Sequence, residues 1–215
     1  MMSGRTIMIV GNGEAPEGAA ATIDAADVVI RFNDCRSAGA GGTRTDIVAV
    51  CNTGRPALAM LGGGHWKNSA AIRQAREIWS VRSAEKFAGM RAALAETHPD
   101  LDDFCDDYTA GFESFTTATG RVHRVISVAA HEQLDRDLAR FAPTPYVVPS
   151  SGMVVIADVI SGFASADDHI VLAGFGHAGW ALHPFGAERR YVDALVAEGR
   201  LRRLPSSFSD LSQGA

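Results

Sequence analysis

Short apolar runs recur along the chain, and each ends in glycine or a polar turn. TIMIV (6–10), DVVIRFN (27–33), DIVAVCN (46–52), EIWSV (77–81) and HIVLAGFG (169–176) read as strands. Strands without polar alternation belong in a parallel sheet covered on both faces. PYVVP (145–149) and LRRLP (201–205) are shorter runs of the same kind. Residues 17–26, 67–77, 84–96 and 152–162 carry helix-favouring stretches between the strands. Residues 127–141 place Val128, Leu134, Leu138 and Phe141 on one helical stripe. Residues 188–199 predict a helix that Gly199 ends. Residues 98–111, HPDLDDFCDDYTAG, read as a polar, acidic loop. This alternation predicts an α/β, doubly wound, mostly parallel, Rossmann-like sheet. It fills a single domain over residues 1–205, with residues 206–215 as a flexible tail.

In such sheets ligands meet the carboxyl ends of the strands. The residues just past the predicted strands are Gly11-Asn12-Gly13, Asn33-Asp34, Asn52, Ser150-Ser151-Gly152 and His177. Their common position predicts one crevice. Pro149-Ser150-Ser151-Gly152 opens an apolar helix pattern, where free backbone N–H groups and the positive dipole end suit a phosphate. A serine there also serves simply as an N-cap. Gly11 and Gly13, with Asp34 about 20 residues on, outline a dinucleotide fingerprint. The third glycine position holds Pro16, and Gly18 comes two residues late. A plain tight turn is the other reading of these glycines.

Composition narrows the function classes. The chain has 215 residues, 47% of them hydrophobic and 21% charged, which suits one domain with a sizeable core. The net charge of −5 gives no footprint for nucleic acid or an anionic membrane. The start, MMSGRTIMIVGNGE, is too short an apolar run for a signal peptide or a membrane span. Cys35, Cys51 and Cys105 show no CxxC spacing and point to a reducing cytoplasm. The acidic run Asp100, Asp102, Asp103, Asp106 and Asp107 lacks the spacing of a calcium loop. His65, His98, His123, His131 and His169 form no zinc pattern, so no metal is expected. PSSGM lacks the first glycine of a nucleophile elbow, which disfavours a serine hydrolase.

Three blocks in order carry a resemblance. Val10-Gly11-Asn12-Gly13, Ile23-Asp24-Ala25-Ala26-Asp27-Val28-Val29-Ile30-Arg31-Phe32-Asn33 and Gly42-Thr43-Arg44-Thr45 resemble the large sialyl motif of eukaryotic-type sialyltransferases. Pro149-Ser150-Ser151-Gly152, the helix after it, Asp167-Asp168 and the strand to Phe175 resemble the small motif. His183 and Glu188 match the H-x4-E of the very-small motif. His183 lies only six positions after His177 and could stand for the third motif instead, but Glu188 favours the very-small assignment. The blocks span nearly the whole chain. The chain is also similar to short bacterial proteins carried as urease operon accessory protein, a label of gene neighbourhood. The family's cysteine bridge, its separate third motif and its acceptor-binding insertions have no counterpart here, which leaves the acceptor open.

The resemblance implies a GT-A-like variant of the Rossmann-like sheet. It implies a CMP-activated acidic sugar donor, a hydroxyl acceptor and an inverting transfer that needs no metal. Gly11, Asn12, Gly13, Asn33, Ser150, Ser151 and Gly152 would then bind the donor. His183 would be the base, since histidine titrates near working pH. Glu188 would orient a ring or a bound hydroxyl, and His177 would bridge to the leaving phosphate. Two alternatives stay open: a non-catalytic nucleotide-binding accessory protein, and an NAD(P)-binding oxidoreductase.

Overall fold

The computed structural model describes residues 4–205. Seven strands form one sheet: β1 (Thr6–Val10), β2 (Val28–Phe32), β3 (Ile47–Val50), β4 (Glu77–Ser80), β5 (Val122–Val125), β6 (His169–Ala173) and β7 (Arg202–Arg203). Their order is β5-β4-β3-β2-β1-β6-β7, and every neighbouring pair is parallel. The sheet is therefore wholly parallel. The chain runs outward from β1 to β5, then returns to place β6 on the other side of β1. The winding direction reverses between β1 and β6, which opens a crevice at their carboxyl ends.

The helices are α1 (Ala20–Asp24), α2 (Gly54–Gly62), α3 (His65–Asn68), α4 (Ala70–Gln74), α5 (Ala84–Thr97), α6 (Thr109–Thr119), α7 (Val128–Ala139), α8 (Ser151–Asp158) and α9 (Phe185–Ala197). Side chains alternate across a strand, so each strand feeds two cores. Ile7, Ile9, Ile30, Ile47 and Trp79 pack with Leu134 and Leu138 of α7, Val155 of α8 and Val192 of α9. On the opposite face, Met8, Val10 and Val29 meet Ile23 of α1. Val48, Val50 and Ile78 meet Met60 of α2 and Phe112 of α6. Both faces are covered, which is why the strands carry no polar alternation.

Several elements differ from the sequence expectations. Residues 145–149 bend at Pro145 and Val147 and join no strand; Val147 N–H donates to the Leu182 carbonyl at 2.9 Å instead. The sheet edge is taken by β5, whose Val122 is 58% exposed. An apolar pentapeptide does not distinguish a strand from a buried extended connection. Helix α2 opens on Gly-Arg-Pro and α6 carries threonines, so neither shows a strong helical signal. The stretch 67–77 divides because Ser69 turns extended and caps α4 by accepting from Ile72 N–H. The acidic segment 98–111 is not all loop, since α6 begins at Thr109. Helix α9 starts at Phe185, three residues before the expected 188. The expected flexible tail, 206–215, lies outside the described residues.

The long block from Ile23 to Thr45 turns out to be a brace. Asp24 accepts from Thr43 N–H and Arg44 N–H, each at 2.9 Å, pinning the loop before β3 to the end of α1. Arg31 is fully buried on β2. Its guanidinium donates to the carbonyls of Arg44, Gly41 and Gly42 at 3.0, 2.8 and 3.1 Å, and to Ser37 Oγ at 3.1 Å. A planar fork with five donors satisfies a folded loop in a way that lysine cannot. Arg31→Met should strand those buried acceptors and cost about 3 kcal/mol of stability. Urea denaturation of the two proteins measures the loss.

Candidate functional site

The two glycine loops at the switch point lie against each other. Gly11 N–H donates to the Ala173 carbonyl at 2.8 Å, and Gly13 N–H to the Gly174 carbonyl at 3.0 Å. A Cβ on Gly11 would sit 2.4 Å from the Gly174 oxygen, and one on Gly13 would sit 2.7 Å from it. These glycines are thus demanded by the approach of a neighbouring loop. Gly174 has φ +68, a left-handed turn that any side chain would strain.

Three asparagines tie strand ends into a rim. Asn12 Oδ1 accepts from Arg36 N–H at 3.0 Å, and its Nδ2 donates to the Phe32 carbonyl at 3.2 Å. Asn33 takes a left-handed φ of 51, which asparagine tolerates better than most residues. Its Oδ1 accepts from Cys51 N–H at 2.8 Å. Asn52 accepts from Arg82 N–H at 2.7 Å and donates to the Arg82 carbonyl at 3.0 Å.

The Pro-Ser-Ser-Gly turn is gripped from two sides. Ser150 caps α8 by accepting from Met153 N–H at 3.1 Å. Its own N–H and hydroxyl donate to Glu188 Oε1 and Oε2 at 2.6 and 2.7 Å. Glu188 is 1% exposed, so its carboxylate serves the turn rather than solvent. Across the turn, Arg82 Nη1 donates to the Pro149 carbonyl at 3.1 Å, and Nη2 to Ser151 Oγ at 3.5 Å. Ser151 and Gly152 are the first residues of α8, and their N–H groups have no intrahelical partner. Gly152 must be glycine because Phe175 lies where its Cβ would be, at 2.7 Å.

All these elements border a cleft of about 480 Å³. Gly11, Asn12, Gly13, Asn33, Ser150, Ser151, Gly152, His177, His183 and Glu188 all line it, whereas Asn52 is fully buried against Arg82 and Asp34 borders a separate cavity. Their roles differ from expectation. Glu188 was expected beside a ring or a bound hydroxyl, yet both its oxygens accept from Ser150. Burial pushes its carboxyl pKa up, while the hydrogen bonds from Ser150 and the nearby Arg82 oppose that. His177 was expected beside a leaving phosphate, yet Arg203 Nη2 donates to its Nε2 at 3.1 Å. Burial first, then Arg203 and Arg189, hold His177 down at about 4.

His183 keeps a reactive nitrogen. Its Nδ1 lies 2.8 Å from the Val148 carbonyl, which only accepts, so Nδ1 carries the proton and Nε2 holds the lone pair. Trp180 and Phe185 pack edge-on to the ring at 4.9 and 5.4 Å. Burial drives its pKa down to about 4, Arg82 adds to that, and the Val148 contact opposes it. The imidazole is consequently neutral at physiological pH and does not titrate near working pH, contrary to the expectation from its residue type, because burial disfavours its charged form.

A second cavity of about 390 Å³ adjoins the cleft and shares Asn33, Ser151, Trp180 and His183 with it. Arg82, Cys51 and Phe104 line only this second cavity. Sequence reasoning missed Arg82 as a site residue. It directly follows the EIWSV strand, so the strand-end rule that selected Asn33 and Asn52 would have found it. Among the described residues, no group of three or more His, Cys, Asp or Glu side chains could hold a metal ion. Nor is any described helix long and apolar enough to cross a membrane.

No family model matches the chain. Among solved structures, a mammalian sialyltransferase superposes with TM-score 0.55 and 15% identity, covering 94% of this chain and 69% of that one. An alpha-2,3-sialyltransferase from Campylobacter jejuni gives TM-score 0.53 and 14% identity over 94% of this chain and 75% of its own. A Campylobacter jejuni sialyltransferase in complex with cytidine-5'-monophosphate gives 0.51 and 14%, covering 95% and 81%. Identities this low show a shared fold: the doubly wound sheet is of the sialyltransferase type. The urease operon 23 kDa accessory protein of Rhizobium meliloti (strain 1021) is 76% identical over 216 residues, all of both chains. The chain belongs to the family of that urease operon accessory protein.

Proposed function

We propose that the protein is a metal-independent, inverting glycosyltransferase that takes a CMP-activated acidic sugar and works in the cytoplasm. One observation carries this reading: the unpartnered amides at the start of α8 and the free Nε2 of His183 share one cleft. The phosphate would sit on the Ser151 and Gly152 N–H groups, where the helix dipole favours negative charge. Asn12 and Asn33 would shape the nucleoside wall. In the transfer, the acceptor hydroxyl oxygen attacks the anomeric carbon. The bond from that carbon to the phosphate oxygen breaks, and CMP departs with the electron pair. The hydroxyl proton passes to His183 Nε2, which is neutral and ready to accept it.

The dinucleotide alternative fits less well. Asp34, which would have to hold a ribose, is 58% exposed at its side chain and lies 3.5 Å from Arg36. A non-catalytic nucleotide-binding accessory role has one observation in its favour. Two of the three expected catalytic side chains, Glu188 and His177, are committed to Ser150 and Arg203.

Titration calorimetry with CMP should show binding in the millimolar range or tighter, and NAD should show none. The absence of CMP binding would end the proposal. His183→Gln should lower donor turnover about a hundredfold or more while leaving CMP affinity within about threefold. Glu188→Ala should instead unseat Ser150, costing about 2 kcal/mol of stability and weakening CMP binding. CMP binding with no turnover on any acceptor would favour the accessory role.

Acidity supplies a further check. His131, His177 and His183 all titrate near 4 in the fold against 6.5 ordinarily. Their contribution to stability is complete above pH 6.5 and is lost as pH falls through about 4. Glu188, raised in the fold, works in the opposite sense and is less costly in acid. Thermal denaturation should therefore show melting temperature dropping between pH 6.5 and 4. His131→Asn should shallow that slope, because burial, with Arg82 and Lys86 nearby, is what holds the His131 imidazole down at about 4.

A further inference from the structure

We propose that the second cavity receives a carboxylate-bearing acceptor, with Arg82 as the group that binds the carboxylate. This rests on the glycosyltransferase reading above and adds the class of acceptor. Arg82 is 2% exposed. Among the described residues its guanidinium finds no carboxylate within 4 Å, only the Pro149 carbonyl and the distant Ser151 hydroxyl. Its Nε has no hydrogen-bond partner at all. The Phe87 ring lies 5.1 Å from its central carbon. Glu188 acts on Arg82 only through space, with no described carboxylate in contact. An anion arriving in the adjoining cavity would pair directly with this buried cation and offset its desolvation.

The rest of the cavity fits such a guest. Phe104 and Trp180 stack at 5.5 Å to form an apolar wall suited to the flat face of a sugar or an aromatic ring. Arg55, at the rim, is already matched by Asp103 at 2.9 Å, so Arg82 is the charge left over. Arg82 lines this cavity and not the nucleotide cleft, and it reaches Ser151 Oγ from the second-cavity side at 3.5 Å. His183 lines both. A hydroxyl presented from the second cavity would meet the base while the donor occupies the first.

Cys51 reports on occupancy. It is partly exposed and lines the second cavity, whereas Cys35 and Cys105 are buried, with Cys35 pushed up to about 12. The full-length protein, saturated with CMP, is alkylated with iodoacetamide while p-nitrophenyl β-glucuronide or p-nitrophenyl β-glucoside is titrated in. These probes differ only in a carboxylate against a hydroxymethyl group. The glucuronide should protect Cys51 at a concentration about tenfold lower than the glucoside. Arg82→Met should erase that difference. Equal protection by both probes, or protection by neither, overturns the proposal. So does full protection by a CMP-linked acidic sugar alone with no added effect of glucuronide, which would give Arg82 to the donor's carboxylate. Should Arg82→Met fail to fold, the comparison on the native protein decides alone. Calorimetry with CMP is read separately. Loss of CMP binding defeats the underlying activity, whereas CMP binding with unprotected Cys51 defeats only the acceptor assignment.

Discussion

The site depends on how the Pro149-Ser150-Ser151-Gly152 turn is held between two buried charges. Glu188 takes the N–H and hydroxyl of Ser150, and Arg82 grips the Pro149 carbonyl on the other flank. Neither charge lies on α8. Glu188 comes from the first turn of α9, and Arg82 from the segment after β4. A helix N-terminus attracts anions wherever it occurs. Here the orientation of its free amides is set by two elements far away in sequence.

The same logic runs through the glycine loops. Gly11, Gly13 and Gly174 leave room for backbone to meet backbone, and Gly152 leaves room for Phe175. Phe175 also packs edge-on against Phe32 at the end of β2, with ring centres 5.9 Å apart. The floor of the cleft is a close-packed junction of three strand ends and one helix start. Little can be enlarged there without displacing backbone, which is costly in a close-packed interior.

The residues that carry the sialyltransferase likeness divide into two kinds. Asp24, Arg31 and Thr43 brace the loop between β2 and β3, with Arg31 fully buried and Thr43 at the surface. Ser151, Gly152 and His183 face the cleft. A shared motif thus records the demands of the fold as much as those of chemistry. The histidine that keeps a free nitrogen owes that freedom to a plain backbone carbonyl, Val148, which fixes the tautomer.

The periodicity of the sequence determined the class of fold. Unbroken apolar strands require cover on both faces, and only a parallel sheet with helices on each side supplies it. The polar residues after each strand were legible for the same reason, since strand ends converge in such a sheet. Composition and local pattern could not reach further. Whether VHRV or PYVVP joins the sheet depends on which lies beside β4, and that is settled by packing far from either segment. Whether Glu188 and His177 are chemical or structural depends on which distant group reaches them, Ser150 in one case and Arg203 in the other. The strand-end position of Arg82 was legible, but its grip on a turn about 67 residues away was not. Those are long-range contacts, and the free energy that selects them belongs to the whole packed chain rather than to any local stretch.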